Sequence, residues 1–153
     1  MKITLQNQEL QPAISLLQRL SLKPGDSRHR SKMVKLLLEA AKTYDEDSNS
    51  LLESYANKSA DGSPIINGNQ YDVPKDKLTE LGVERKHLNE EERVIEGGMY
   101  VRNIDAMPEV LENITETLSG QEADIYDKIM DQFDEQRVEA EQDAKQDNKK
   151  ESK

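Results

Sequence analysis

Residues 27–57 read SRHRSKMVKLLLEAAKTYDEDSNSLLESYAN, and the spacing of their apolar side chains decides the fold. These side chains recur by alternating steps of three and four residues, the spacing of one buried face of an α-helix. The repeating positions are Val34, Leu37, Ala41, Tyr44, Ser48, Leu51 and Tyr55. An unbroken helix over this stretch spans about 45 Å at about 1.5 Å per residue. The sequence therefore predicts one long helix, with the poor helix formers at residues 45–50 as the place for a kink.

A shorter helix is predicted before the long one. Its buried face consists of Leu10, Ala13, Ile14, Leu17 and Leu20. Lys23-Pro24-Gly25-Asp26 ends it, and Asp26 or Ser27 is expected to cap the long helix that follows. Because the connection is short, the two helices are expected to form an antiparallel pair.

Two hairpins are predicted in the middle of the chain. Asn67-Gly68 lies between Ile65-Ile66 and the stretch 71–73, and this dipeptide is a strong turn signal. Gly97-Gly98 lies in the same way between the apolar runs at 93–95 and 99–101. A broken helix over residues 75–91 separates them. Ile3 and Leu5 allow one further short strand at the start of the chain.

Helices are also expected at the C-terminal end. One has Val110, Leu111, Ile114 and Leu118 on a single face, and the next has Tyr126, Ile129, Met130 and Phe133. Beyond residue 139 the chain has almost nothing to bury, which favours disorder. The predicted organisation is a single α+β domain over residues 1–139 and a charged disordered tail over 140–153. The fold class is α+β and mostly helical: a long antiparallel helix pair, a small antiparallel sheet from two hairpins, and C-terminal helices.

The composition excludes several kinds of site. The chain has no cysteine, which excludes disulfides, thiol catalysis and Cys-ligated metals. It has two histidines, His29 and His87, too few for a multi-histidine zinc site. Walker and dinucleotide-binding motifs are missing, and so is a nucleophile elbow. Neither a signal peptide nor an apolar run of membrane-spanning length is present. We expect no catalytic residue, no metal and no cofactor.

Charge is distributed unevenly along the chain. Residues 1–44 have eight Lys or Arg and three Asp or Glu, a net charge of +5. Residues 45–153 have thirteen Lys or Arg and twenty-eight Asp or Glu, a net charge of −15. Such asymmetry bears on binding partners more than on the fold.

Four basic residues, Arg28, Arg30, Lys32 and Lys35, fall in the opening turns of the predicted long helix. The dipole of a helix disfavours cations at this end, so their position calls for a reason. Two hypotheses remain open. The residues form a docking patch for phosphate or an acidic protein surface, or they pair with the acidic half of the same chain. Nucleic acid is disfavoured as a partner because the net charge is −10 and no aromatic residues are interleaved for base stacking.

One arrangement of acidic residues is typical of an enzyme. Glu109 and Glu112 are three residues apart on one predicted helix, and Asp124 and Asp127 are three apart on the next. Four such carboxylates could hold Mg²⁺ against a pyrophosphate. This resembles the metal site of all-α nucleoside-triphosphate pyrophosphohydrolases, whose second pair is normally E-x-x-D. In a chain with 31 acidic residues the spacing also arises by chance.

The order of three motifs is distinctive. They are Ser27-Arg28-His29-Arg30-Ser31-Lys32 followed by Val34 and Leu36–Leu38; Tyr55-Ala56 leading into Asp61-Gly62-Ser63-Pro64; and Leu88-Asn89-Glu90-Glu91 leading into Val94-Ile95. In these motifs, over about residues 1–100, the chain resembles a family of small uncharacterised proteins of tailed bacteriophages and prophages of Gram-positive bacteria. The resemblance implies a phage or prophage origin and a product that is not secreted. It supplies no activity and no catalytic residue.

Three functions are compatible with these features. The first is a non-enzymatic phage accessory or assembly protein that contacts another protein of the phage or host through Arg28, Arg30, Lys32 and Lys35. The second is an acidic mimic of nucleic acid that inhibits a host enzyme. The third is the Mg²⁺-dependent pyrophosphohydrolase. The expected location is the cytoplasm of the bacterial host, with virion association open, and neither a membrane nor a nucleic acid is the expected partner.

Overall fold

The computed structural model describes the backbone of residues 1–97 and 101–151 and the side chains of residues 1–97 and 104–145. The elements in chain order are β1 (Lys2–Gln6), α1 (Asn7–Arg19), α2 (Pro24–Tyr55), β2 (Ile66–Asn67), β3 (Gln70–Tyr71), a 3₁₀ turn (Lys75–Lys77), α3 (Leu78–Glu90), β4 (Glu92–Glu96), α4 (Val101–Glu112) and α5 (Gln121–Glu151). The predicted class, α+β and mostly helical, is confirmed.

The antiparallel helix pair is α1 and α2. Arg30, near the start of α2, contacts the carbonyl groups at the end of α1. At the other end, Arg93 joins Asn7, the first residue of α1, to Asp47 in the second half of α2. The two helices therefore run in opposite directions, as their short connection predicts.

The start of α2 differs from the prediction. The helix begins at Pro24, with Lys23 as the residue before it, and not at a cap formed by Asp26 or Ser27. Proline suits the first helical position because its missing N–H has no acceptor there and its φ is already helical. The helix also continues through residues 45–50 as a single element of 32 residues.

The main sheet has two antiparallel strands, β1 and β4, with Ile3 opposite Ile95 and Leu5 opposite Arg93. The second predicted hairpin differs from the structure at Val101, which begins α4 and is not in a strand. Gly98, Met99 and Tyr100, the other expected residues after Gly97, lie outside the described residues. Among the described residues, β4 pairs with the start of the chain. The pairing of β1 with β4 is favourable because the alternation of β1 buries Ile3 and Leu5 on the same face as Ile95.

The first predicted hairpin is confirmed. Strands β2 and β3 pair Ile66 with Tyr71 and Asn67 with Gln70, so Gly68 and Asn69 form the two-residue turn. Gly68 has a φ of +64°, which an L side chain rarely adopts. The helix expected over residues 75–91 is also present, divided into the 3₁₀ turn and α3.

The core lies between α1, α2, the inner face of the sheet and the last two helices. Its largest fully buried side chains include Phe133, Leu17, Leu37 and Met107. Helix α4 ends at Glu112, earlier than its apolar pattern suggests, so Ile114 and Leu118 pack against this core from a loop.

The structure continues α5 as a helix through Glu151, across the segment for which the sequence favours disorder. Every described side chain from Val138 to Lys145 is exposed. No tertiary packing therefore supports the helix over that part, and the boundary between domain and tail near residue 139 stays a prediction.

Candidate functional site

The four predicted patch residues do not act alike, because Arg30 points away from the other three. Its guanidinium donates to the backbone carbonyl oxygens of Leu17, Gln18 and Leu20 at distances of 2.8, 3.2 and 3.4 Å. It also donates to Ser27 Oγ at 3.0 Å. Arg30 is half-buried and spans the junction between α1 and α2.

These contacts explain why a cation lies so near the start of α2. The last carbonyl groups of an α-helix lack internal partners and carry the negative end of the helix dipole. The Arg30 guanidinium satisfies this end of α1, which gives a structural reason for a cation at this position of α2. Arg30 is therefore held within the fold by the carbonyl groups of α1, and not by carboxylates of the acidic half, as the intramolecular hypothesis expects.

The other three residues form what we call the basic stripe: Arg28, Lys32 and Lys35. Their spacing of four and then three residues places them on one face of α2. Arg28 and Lys35 are exposed and Lys32 is half-buried. Within the described part of the chain, neither Arg28 nor Lys35 forms an ion pair, whereas Lys32 and the neighbouring His29 each have a partner.

Ion pairs between distant elements involve other cations. They are Arg19 with Glu122, Arg93 with Asp47, Lys128 with Glu9, Arg137 with Glu112, and the amino group of Met1 with Asp105. The N–O distances lie between 2.5 and 2.7 Å. Three of these pairs, those of Arg19, Lys128 and the amino group of Met1, attach the acidic half of the chain to the first half without the basic stripe.

The four carboxylates of the magnesium hypothesis do not converge. Glu112 accepts a hydrogen bond from Arg137 on the side of α5 that packs against α4. Asp124 and Asp127 instead line a shallow groove beside β1, together with Thr4 and Lys128. Among the residues that the structure describes, no three His, Asp or Glu side chains are placed to hold a metal ion. The geometry therefore gives no support to the hydrolase hypothesis.

Acidic side chains follow one side of α5. We call this set the acidic ridge, and its members line two adjoining grooves: Asp124, Asp127, Asp131, Asp134, Glu135 and Glu139. Steps of three and four residues connect them along the surface of the helix. Lys128, which pairs with Glu9, and Val138 interrupt the ridge.

A polar network at the centre of the fold has no counterpart in the sequence predictions. Asn7 is 2% exposed; its Nδ2 donates to the Leu88 carbonyl oxygen at 2.7 Å, and its Oδ1 accepts from Arg93 Nε at 2.9 Å. Arg93 also donates to Asp47 at 2.6 Å. Buried polar groups are costly unless bonded. The two bonds of Asn7 join α3 and β4 to α1, and the bond from Arg93 to Asp47 joins β4 to α2. The network is a structural junction between α1, α2, α3 and β4.

A second unpredicted feature closes the outer edge of β1. Gln132 Oε1 accepts from the Thr4 backbone N–H at 2.6 Å, and its Nε2 donates to the Thr4 carbonyl oxygen at 3.1 Å. Gln136 makes the same two contacts with Lys2, at 2.9 and 2.7 Å. Two side-chain amides from α5 thus take the place of a neighbouring strand. The sequence signal for this contact is a pair of glutamines four residues apart on a helix. The signal identifies the contact only once the position of β1 beside that helix is known.

Two carboxylates, the exposed Asp61 and the half-buried Glu116, have lowered pKa values for structural reasons. Ser59 Oγ and the Ser63 backbone N–H donate to Asp61 and hold its pKa at about 2. The pKa of Glu116 is also lowered, chiefly because the Ser21 backbone N–H donates to it at 2.6 Å. Both stabilise chain turns, and neither faces the basic stripe.

No helix in the described part of the chain is long and apolar enough to span a membrane. The chain matches the model of a family described as "Protein of unknown function (DUF1617)" over residues 1–140. Because the match covers nearly the whole chain, the protein belongs to this family, and the predicted membership of a family of unknown function is confirmed. Comparisons with curated proteins and with solved structures gave no match.

Proposed function

We propose that this member of the DUF1617 family is a non-enzymatic accessory or assembly protein of a tailed phage or prophage of Gram-positive bacteria. It acts by binding another protein of the phage or its host through the basic stripe. The observation that carries the proposal is the division of the four basic residues. Arg30 has a structural reason for its position, whereas Arg28 and Lys35 have exposed side chains and no ion pair within the described structure.

The unbalanced charge of the stripe supports a functional reason for it. Arg30 donates to the carbonyl groups of α1, whereas Arg28 and Lys35 are exposed and have no ion pair within the described part of the chain. An acidic surface on a partner protein would supply the missing negative charge.

Charge also favours a protein over a nucleic acid as the partner. The chain has a net charge of −10, which opposes approach to a polyanion. The basic stretch at residues 27–35 contains no Phe, Tyr or Trp, so it has no interleaved aromatic side chains on which bases stack. A basic stripe on an acidic molecule is suited to a local acidic patch on another protein.

The phage assignment rests on the resemblance of the motifs at residues 27–38, 55–64 and 88–95 to small proteins of tailed phages. It places the protein in the cytoplasm of the infected or lysogenic bacterium, where association with the assembling virion is part of the same proposal. The binding partner then belongs to the phage or to the host.

Affinity capture from infected or induced cells tests the proposed function. Three forms of the full chain are compared by quantitative mass spectrometry: the wild type, the stripe variant Arg28→Glu/Lys32→Glu/Lys35→Glu, and a matched control. The control is Lys75→Glu/Arg85→Glu/Lys145→Glu, which reverses the same residue types at exposed positions elsewhere. It therefore has the same net charge as the stripe variant.

We expect a specific partner to be recovered with the wild type and the control and to be reduced at least tenfold with the stripe variant. Circular dichroism should show all three proteins equally folded. Recovery of the partner with the stripe variant, equal loss with the control, or no partner at all would each contradict the proposal.

The acidic ridge favours one second candidate, an acidic mimic that inhibits a nucleic-acid-binding enzyme of the host. Its carboxylates lie along one side of α5, and none of them is paired with Arg28 or Lys35. On this hypothesis the captured protein is one that binds nucleic acid, and duplex DNA displaces it from this chain. The Asp127→Lys/Asp131→Lys variant should no longer recover that protein, whereas the stripe variant should still recover it. The same capture experiment therefore separates the two candidates.

A further inference from the structure

The two outer edges of the β1–β4 sheet are treated differently by the fold. The edge of β1 is closed, because Gln132 and Gln136 bond the backbone of Thr4 and Lys2. These bonds also show which backbone groups of β1 face α5 and which face β4. Since Thr4 and Lys2 point towards α5, it is Ile3 and Leu5 that exchange backbone hydrogen bonds with β4.

The backbone groups on the outer edge of β4 follow from this register. Val94 lies opposite Thr4, and Glu96 lies opposite Lys2. In an antiparallel pair, residues opposite an outward-pointing residue also point outward. The N–H and C=O groups of Val94 and Glu96 therefore point away from β1, and the structure gives them no hydrogen-bond partner among the described residues.

A groove lies along this unpaired edge. Its volume is about 270 Å³, and α2 forms its other wall with Leu36, Ala40 and Thr43. The Val94 side chain also lines it and is 56% exposed, on the face opposite that of Ile95. An open strand edge beside apolar side chains is the arrangement into which an extended peptide adds as a further strand.

Charges around the groove determine which peptide fits. Glu39 and Glu96 line the groove, and Glu92 lies on the same edge of β4, two residues before Val94. A second copy of β4 paired antiparallel about Val94 would place Glu92 opposite Glu96, and like charges directly opposite one another are destabilising. A segment with lysine or arginine at alternate positions would place opposite charges there.

We propose that the β4 edge takes up an extended basic segment of a partner protein as a third strand of the sheet. Its basic residues lie on the face of Glu92 and Glu96, and its apolar residues lie on the opposite face, where Ile95 and Leu36 line the groove. This deepens the proposed function, on which it rests for the idea that the protein acts through protein contacts. The surface involved is distinct from the basic stripe, so the two ideas can fail separately.

A synthetic peptide provides a direct probe. It has seven residues that alternate lysine and valine, with acetylated and amidated ends, and its control alternates glutamate and valine. Both are titrated into the full chain at about 0.15 M salt, and backbone amide exchange is followed residue by residue by NMR. Saturation with the basic peptide is expected to slow exchange at Val94 and Glu96 at least tenfold and to leave Thr4, already bonded to Gln132, unchanged.

Three variants locate the binding. Val94→Pro removes the outward N–H and leaves the hydrogen bonds between β4 and β1 in place. It should lower the affinity for the basic peptide at least tenfold. Val94→Thr keeps that N–H, and its affinity should stay within about threefold of that of the wild type. Glu39→Lys/Glu96→Lys leaves the strand itself intact and should reverse the preference to the acidic peptide. The stripe variant should bind the basic peptide normally, which separates this result from that of the capture experiment.

Unchanged exchange at Val94 and Glu96 with the basic peptide would overturn the proposal. So would an unchanged peptide preference in Glu39→Lys/Glu96→Lys. Equal binding of both peptides by the wild type would show that strand addition without charge selection occurs and would overturn the assigned partner chemistry.

Discussion

Two neighbouring arginines in one basic run have different roles because of their direction on the helix. Arg28 and Arg30 are two residues apart and so lie on different faces of α2. Arg28 is exposed, whereas Arg30 reaches the carbonyl groups of Leu17, Gln18 and Leu20. Charge reversal of the whole run would therefore mix a structural effect with a binding effect.

Replacing Arg30 by methionine should destabilise the protein. The Arg30→Met change keeps an apolar stem but leaves the end of α1 without its donor, at an expected cost of about 1–2 kcal/mol. The free energy of unfolding in urea measures the effect. Arg28→Met is the matched control and should stay within about 0.5 kcal/mol of the wild type. Equal effects of the two changes would show that the contacts of Arg30 with the end of α1 do not stabilise the protein.

Asp61 provides a pH-dependent prediction. Its pKa is lowered to about 2 by hydrogen bonds from Ser59 and Ser63, against an ordinary value of 3.8. A lowered carboxyl pKa contributes stability above its unfolded value, and this contribution is lost as the pH falls from about 4 to about 2. NMR titration of the Asp61 carboxyl carbon should show a midpoint near 2, and Ser59→Ala should move it upward. Ser54→Ala, at a nearby exposed serine, should leave it unchanged; a wild-type midpoint near 3.8 would refute the assignment.

At the scale of elements, the glutamine contacts explain why β1 is ordered at the very start of the chain. Replacing Gln132 and Gln136 by alanine should expose the backbone of Lys2 and Thr4 to water. Amide exchange at these two residues should then accelerate at least tenfold, while Ile3 and Leu5, bonded to β4, change less. Gln142→Ala, at an exposed position of the same helix, is the control. Unchanged exchange in the double variant would mean that another group closes this edge.

The helices could be predicted from the sequence because each buries one face. The stripe from Val34 to Tyr55 is visible without knowledge of its neighbours, and so is the face of α1. The pairing of β4 was harder to predict from the sequence, because a strand of five residues carries little information about a partner strand some 90 positions away. The apparent turn at Gly97-Gly98 favoured a local hairpin, whereas the pairing with β1 places Ile3 and Leu5 beside Ile95 in the core.

The candidate site was only partly predictable for a related reason. The basic residues are evident in the sequence, and helical spacing alone separates Arg30 from the basic stripe. What Arg30 contacts depends on where α1 ends, which is a tertiary fact. Asn7, Gln132 and Gln136 have ordinary surroundings in the sequence, so their bonds to Leu88, Thr4 and Lys2 could be found only once distant elements had been brought together.

At the scale of the whole molecule, the opposite charges of the two halves have separate uses. Cations outside the basic stripe, such as Arg19 and Lys128, join the halves through ion pairs. The stripe and the acidic ridge lie on different helices and leave surfaces of opposite sign. Since ion pairs at the surface contribute only about 0–1 kcal/mol each, fold stability alone does not account for so uneven a distribution of charge.

The most direct test of the central claim places a photo-crosslinking amino acid beside the basic stripe. Ser31 is exposed, three residues after Arg28 and four before Lys35, so it lies on their face of α2. Benzoylphenylalanine is introduced in place of Ser31 or, as a control, of the exposed Ser50 on the same helix. In irradiated cells of the infected or lysogenic host, we predict one adduct with a specific protein from position 31 and none from position 50. No adduct from position 31, or equal adducts from both positions, would contradict a protein-docking role for the stripe.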